Sequence, residues 1–194
     1  MKKFLLGIVA VFLFIFAFAN ITNAAATNTS KRTEVPHWQK SPINVFVPNE
    51  AKAGSMKNAF NTWAAKSSGK IRFEYTDKKR ADIIVEFTNN TEGLESKLGG
   101  YSLLTNGTAI TNATIKIATK SKEAKKYSSN YIYTTMLHEV GHVLGLKDNP
   151  RKPSSIMYMP ITEKQDIMKI DIRQLYNVNG WSYADRNMPS QRNK

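Results

Sequence analysis

The chain has no cysteine. That excludes disulfide cross-links, a thiol nucleophile and thiolate metal ligands. It also excludes a cysteine that could cap a metal ion in a latent form. Histidine is scarce, with three in 194 residues, so an imidazole site can draw only on His37, His138 and His142. Acidic residues number 15 against 28 lysines and arginines. They are scattered along the chain, so the grouped oxygen ligands of a calcium site are not indicated. Only one long apolar run occurs, from Phe4 to Ala19.

That run is about 16 residues, short of the roughly 20 that span a bilayer. Lys2 and Lys3 precede it, and Ala24, Ala25 and Ala26 close the polar and small residues after it. Charge, apolar core and small residues in that order mark a secretory signal peptide. The expectation is a signal peptide at 1–24, cleaved near 24–26, and a product secreted or associated with the cell envelope. The competing reading is an uncleaved membrane anchor. The formal charge is +13, or +11 without Lys2 and Lys3. No nucleic-acid motif accompanies this charge, so nucleic acid is not an expected partner. Attraction to an anionic cell envelope, or simple solubility, accounts for it better. The remaining length suits one domain, expected as a monomer.

Residues 25–40 are polar and expected to be extended. "INVFV" (43–47) alternates and is β-branched, as a strand requires. Met56, Phe60 and Trp63 recur at helical spacing until Ser67, Ser68 and Gly69 stop the helix. "IRFEY" (71–75) and "DIIVEF" (82–87) read as strands, and 88–98 as a polar loop. "GYSLL" (100–104) and "TIKIAT" (114–119) are further strands, separated by a loop containing Asn106-Gly107. A helix is expected over 130–144, another over 163–176, and a polar tail over 181–194. This order predicts one mixed sheet carrying helices, an α/β (α+β) domain.

The segment "HEVGHVLGLKD" (138–148) carries the chemistry. His138 and His142 are four apart, which on a helix puts both imidazoles on one face. Zinc accepts nitrogen ligands in a four-coordinate geometry. Gly145 stands where a residue of positive φ can end the helix, and the Asp148 carboxylate beyond the turn is a reasonable third ligand. Glu139 lies beside this face, placed to take a proton from water made acidic by the metal. Chance alone produces such a motif on the order of 10⁻³ times in a chain like this. His37, isolated between Pro36 and Trp38, reads as a surface or packing residue.

"HEVGHVLGLKD" resembles the extended zinc signature of the metzincin metallopeptidases, and "SSIMYMP" (154–160) resembles the Met-turn of the matrixins within that clan. The aspartate at position 148 makes it similar to a bacterial-type HExxHxxGxxD variant. "INVFV", "NAFNTW" and "ADIIVEF" fall in the order of that family's first strand, first helix and third strand, and "LY" at 175–176 resembles the end of its last helix. The resemblance implies a metzincin-like catalytic domain over 41–180. Its expected parts are a twisted five-stranded mixed sheet, an active-site helix, a Met-turn and a C-terminal helix. It implies one catalytic zinc ion held by His138, His142 and Asp148, Glu139 as general base, and Met157 packed beneath the metal. A protein or peptide substrate would lie extended along an edge strand containing Gly100, Tyr101, Ser102 and Leu103, with Tyr158 near its specificity pocket.

Asp148 replaces that family's usual third histidine, and too few histidines remain for a second, structural zinc. The implied function is a secreted zinc-dependent endopeptidase. The alternative is a zinc-containing surface or adhesion protein without turnover, against which Glu139 argues.

Overall fold

A computed structural model describes residues 35–181. The expected signal peptide with its cleavage region, residues 25–34 of the extended segment, and the tail after Trp181 lie outside the described residues. Among those described, no helix is long and apolar enough to cross a membrane.

Strand β1 (Ile43–Phe46) alternates as predicted, with Ile43 and Val45 buried. Helix α1 (Ala53–Lys66) buries Met56, Ala59, Phe60 and Trp63. Ser68 and Gly69 turn to positive φ and end it, as "SSG" predicts. Strands β2 (Phe73–Tyr75) and β3 (Ile83–Phe87) flank β1, both parallel to it. Strand β4 (Gly99–Asn106) and strand β5 (Ala109–Ile117) form an antiparallel hairpin, and β5 runs parallel to β3. The order across the sheet is β2-β1-β3-β5-β4. The sheet is mixed and five-stranded, as expected, and β4 is an edge strand.

The hairpin is longer than the predicted pair of strands at 100–104 and 114–119. Pairing continues through Asn106 and Ala109, so Asn106-Gly107 lies at a tight turn and not in an open loop. Gly107, at φ 58°, supplies the positive φ that such a turn needs. Ala118 and Thr119 leave the ladder.

Helix α2 (Ser129–Val143) packs against α1, β4 and β5. Ser128 caps it by accepting from Tyr131 N at 3.1 Å. Two tryptophans tie the helix to the rest of the core. Trp63 Nε1 donates to Leu137 O at 2.9 Å, and Trp38 Nε1 donates to Val143 O at 2.7 Å.

The last helix differs from the predicted span. α3 covers Lys169–Asn179 and ends at Gly180 with φ 66°. Residues 163–168 stay irregular because their polar groups are engaged elsewhere. Ser128 Oγ donates to Glu163 Oε1 at 2.5 Å. Gln165 donates to Tyr158 O and Pro160 O and accepts from Thr162 N. Asp171 accepts from Met168 N at 2.8 Å and so fixes the start of α3.

Candidate metal centre

α2 presents His138, Glu139 and His142 in its last turns, each at most 4 % exposed. His138 Nδ1 lies 2.7 Å from Ile156 O, and His142 Nδ1 lies 2.9 Å from Leu146 O. A carbonyl only accepts, so both Nδ1 atoms carry the proton. Burial, reinforced by the neighbouring His142, pushes His138 down to about 4; burial also lowers His142. Both rings are therefore neutral near pH 7, and each Nε2 is a bare lone pair. These two lone pairs face each other at 2.9 Å. With neither atom a donor, this is no hydrogen bond, and the contact is favourable only around a cation.

α2 ends where Gly145 turns to φ 90°. A Cβ there would also collide with Pro36 O, so both conformation and space demand glycine. Beyond the turn, Asp148 Oδ1 lies 3.5 Å from His138 Nε2 and 3.4 Å from His142 Nε2. Asn149 N donates to Met157 O at 2.6 Å and anchors this loop. The three ligand atoms lie within 4.8 Å of one another. A tetrahedral ion with bonds of about 2.0–2.1 Å separates its ligands by roughly 3.4 Å. The two spacings to Asp148 match that value, the 2.9 Å between the imidazole nitrogens is tighter, and the chemistry of the donor set fits zinc.

Glu139 does not join that cluster. Its Oε1 accepts from Ser96 Oγ at 3.2 Å, while Oε2 is buried with no partner among the described residues. Burial pushes this carboxyl up to about 8, against the lowering effect of the Ser96 hydroxyl.

Met157 is fully buried and packs against Gly141, between the two histidines in sequence. A Cβ on Gly141 would collide with its Sδ. On β4, the Tyr101 ring stacks on the His142 imidazole, with centroids 4.3 Å apart and planes at 12°. Gly100, Ser102 and Leu103 pair with Lys116, Thr114 and Ala113 of β5, and among the described residues no strand pairs with the other edge of β4. Tyr158 is half-buried after the turn, its carbonyl held by Gln165. His37 lies elsewhere: its backbone bridges to Thr108 and Ile110, and Nδ1 contacts Val35 O.

Two residues near this centre carry no sequence signal. One is Ser96. The other is Asp171, buried on α3, which accepts from Ser155 Oγ, from Ile156 N at 3.3 Å and from Met168 N. Burial pushes its carboxyl above the usual range despite these donors. Through Ile156 it supports the carbonyl that orients His138. Asp171→Ala strands several buried donors, and each such loss costs about 1–3 kcal/mol. The variant is expected to lose about 3 kcal/mol or more in urea unfolding and about tenfold in metal affinity. Unchanged unfolding and unchanged chelator competition would show that Asp171 supports nothing here.

The model of the matrixin family matches residues 35–178. A search among curated proteins finds no match.

Proposed function

This chain belongs to the matrixin family, and we propose that it is a secreted endopeptidase whose catalytic zinc is held by His138, His142 and Asp148, with Glu139 as general base. Family membership makes it a zinc metalloendopeptidase acting on proteins or peptides. The observation that carries the site assignment is the convergence of two neutral Nε2 atoms and one carboxylate oxygen on a single point.

Zinc, when bound, supplies a Lewis acid that polarises a carbonyl and makes water acidic near neutral pH. The protein supplies the rest. The Ile156 and Leu146 carbonyls hold both imidazoles in the tautomer that offers Nε2. Glu139, one residue from a ligand yet outside the ligand cluster, takes the proton from water at Oε2 and returns it to the leaving amine. The open edge of β4 offers backbone N–H and C=O groups from Gly100 to Leu103, which suits an extended peptide adding as a further strand. Tyr158, which directly follows Met157 in the chain, is the proposed specificity-pocket residue. Export rests on the order of charge, apolar run and small residues before position 27. The basic surface suits association with an anionic envelope.

Chelation tests this reading. EDTA or ortho-phenanthroline is expected to abolish hydrolysis of a fluorogenic peptide, and one equivalent of zinc to restore it. Two imidazoles with a carboxylate suit zinc better than magnesium or calcium. Undiminished hydrolysis after verified metal removal would remove the assignment.

A further inference from the structure

We propose that Ser96 is a positioning residue for hydrolysis: it fixes Glu139 Oε1 and leaves Oε2 as the oxygen that handles the proton. This rests on the reading of Glu139 as general base.

Ser96 is buried in the loop that leads into β4. It closes a tight clip with Gly99. Ser96 N donates to Gly99 O at 2.9 Å, and Gly99 N donates to Ser96 Oγ at 2.7 Å. The hydroxyl proton then has two acceptors within reach, Gly99 O at 2.9 Å and Glu139 Oε1 at 3.2 Å. Gly99 O already receives Ser96 N–H. Among the described residues Glu139 has no other side-chain hydrogen-bond partner. The Ser96 hydroxyl is therefore the group, among the described residues, placed to hold Oε1.

Gly99 completes the restraint. A Cβ there would collide with Glu139 Oε1 and Cγ and with Thr135 Cγ2. The carboxylate is thus hydrogen-bonded by Ser96 and packed against the Gly99 backbone. A base held in one orientation reacts more often from a productive geometry than one free to rotate. Because Gly99 is the first residue of β4, the same clip ties the base to the strand proposed to hold substrate.

Steady-state kinetics of the zinc-loaded full chain test this, with zinc content measured for every variant. Ser96→Ala is expected to lower kcat about 10- to 100-fold, with KM within about twofold and zinc retained. Ser96→Thr, which keeps the hydroxyl, is expected to stay within about threefold of wild type. Ser96→Ala added to Glu139→Ala should cause no further loss, because its effect runs through Glu139. Wild-type kcat in Ser96→Ala overturns the proposal. So does an equal loss in Ser96→Thr, or an undiminished effect of Ser96→Ala on the residual turnover of Glu139→Ala.

Ser96→Ala also removes the acceptor of Gly99 N. If that variant does not fold, Gly99→Ala decides. It keeps the hydroxyl but crowds Oε1, so kcat should fall with zinc retained; wild-type kcat there overturns the proposal. Full activity of Glu139→Ala would instead sink the general-base reading and this proposal with it. Failure of Ser96 alone leaves Glu139→Ala inactive.

Discussion

Glu139→Ala is expected to lower kcat for peptide hydrolysis by about 10²–10⁴-fold, the usual worth of a positioned general base, while the protein keeps its zinc. The separation follows from geometry. Glu139 shares the helical turn of His138 but stands outside the cluster of ligand atoms. Its removal takes away a proton acceptor and leaves all three donors to the ion. Metal content by mass spectrometry and turnover of a fluorogenic peptide report the two effects independently. Turnover within about tenfold of wild type would mean that another group takes the proton. Loss of zinc would mean that Glu139 supports the ion after all.

Asp148 carries the other large effect. It is half exposed, unlike the two buried histidines, and its loop is held mainly through Asn149 N and Met157 O. Asp148→Ala leaves two protein ligands, and the variant should purify with little zinc. Asp148→Asn keeps the size but is neutral and a poorer donor, so affinity should fall while the fold survives. Asp148→His replaces the carboxylate with a third imidazole and should recover binding. A group that only hydrogen-bonds to a ligand is worth about 10- to 100-fold in affinity, and a true ligand is worth more. Titration against a competing chelator separates these. Ala and Asn variants both within about tenfold of wild type would mean that Asp148 is no ligand.

The legible parts of the molecule are those written in local spacing. Ile43 and Val45 alternate, Met56, Phe60 and Trp63 recur at helical spacing, and both patterns became buried faces. His138, His142, Gly145 and Asp148 lie within eleven consecutive residues, so helical geometry and one turn suffice to bring the three donors together. The family resemblance, carried by that segment and the Met-turn, holds over residues 35–178. The last helix starts at Lys169, later than its sequence predicts, for a physical reason. Glu163 and Gln165 have ordinary helical propensity, but their side chains bind Ser128 and the carbonyls of Tyr158 and Pro160. Tertiary partners of that kind override propensity. The helix begins where Asp171 can cap Met168.

Ser96 and Asp171 were invisible for a different reason. Ser96 meets Glu139 across 43 positions of chain, and Asp171 meets Ser155 across 16. No periodicity or motif marks either residue. Only the β4–β5 hairpin, folded over α2, brings Ser96 to the carboxylate. Only the packing of α3 beneath the Met-turn segment brings Asp171 to Ser155 and Ile156. Tyr101 was expected on the edge strand for its backbone, yet its ring also stacks on His142. A strand assignment gives the face of a residue but not what the facing helix puts there.

The central claim is that one zinc ion sits among His138 Nε2, His142 Nε2 and an Asp148 carboxylate oxygen. Anomalous diffraction at the zinc absorption edge, from crystals grown with stoichiometric zinc, tests it most directly. The expected result is a single strong peak about 2.0–2.2 Å from all three atoms, with Glu139 beyond bonding distance. A peak elsewhere, no peak, or a peak bound by the histidines with Asp148 turned away would contradict it.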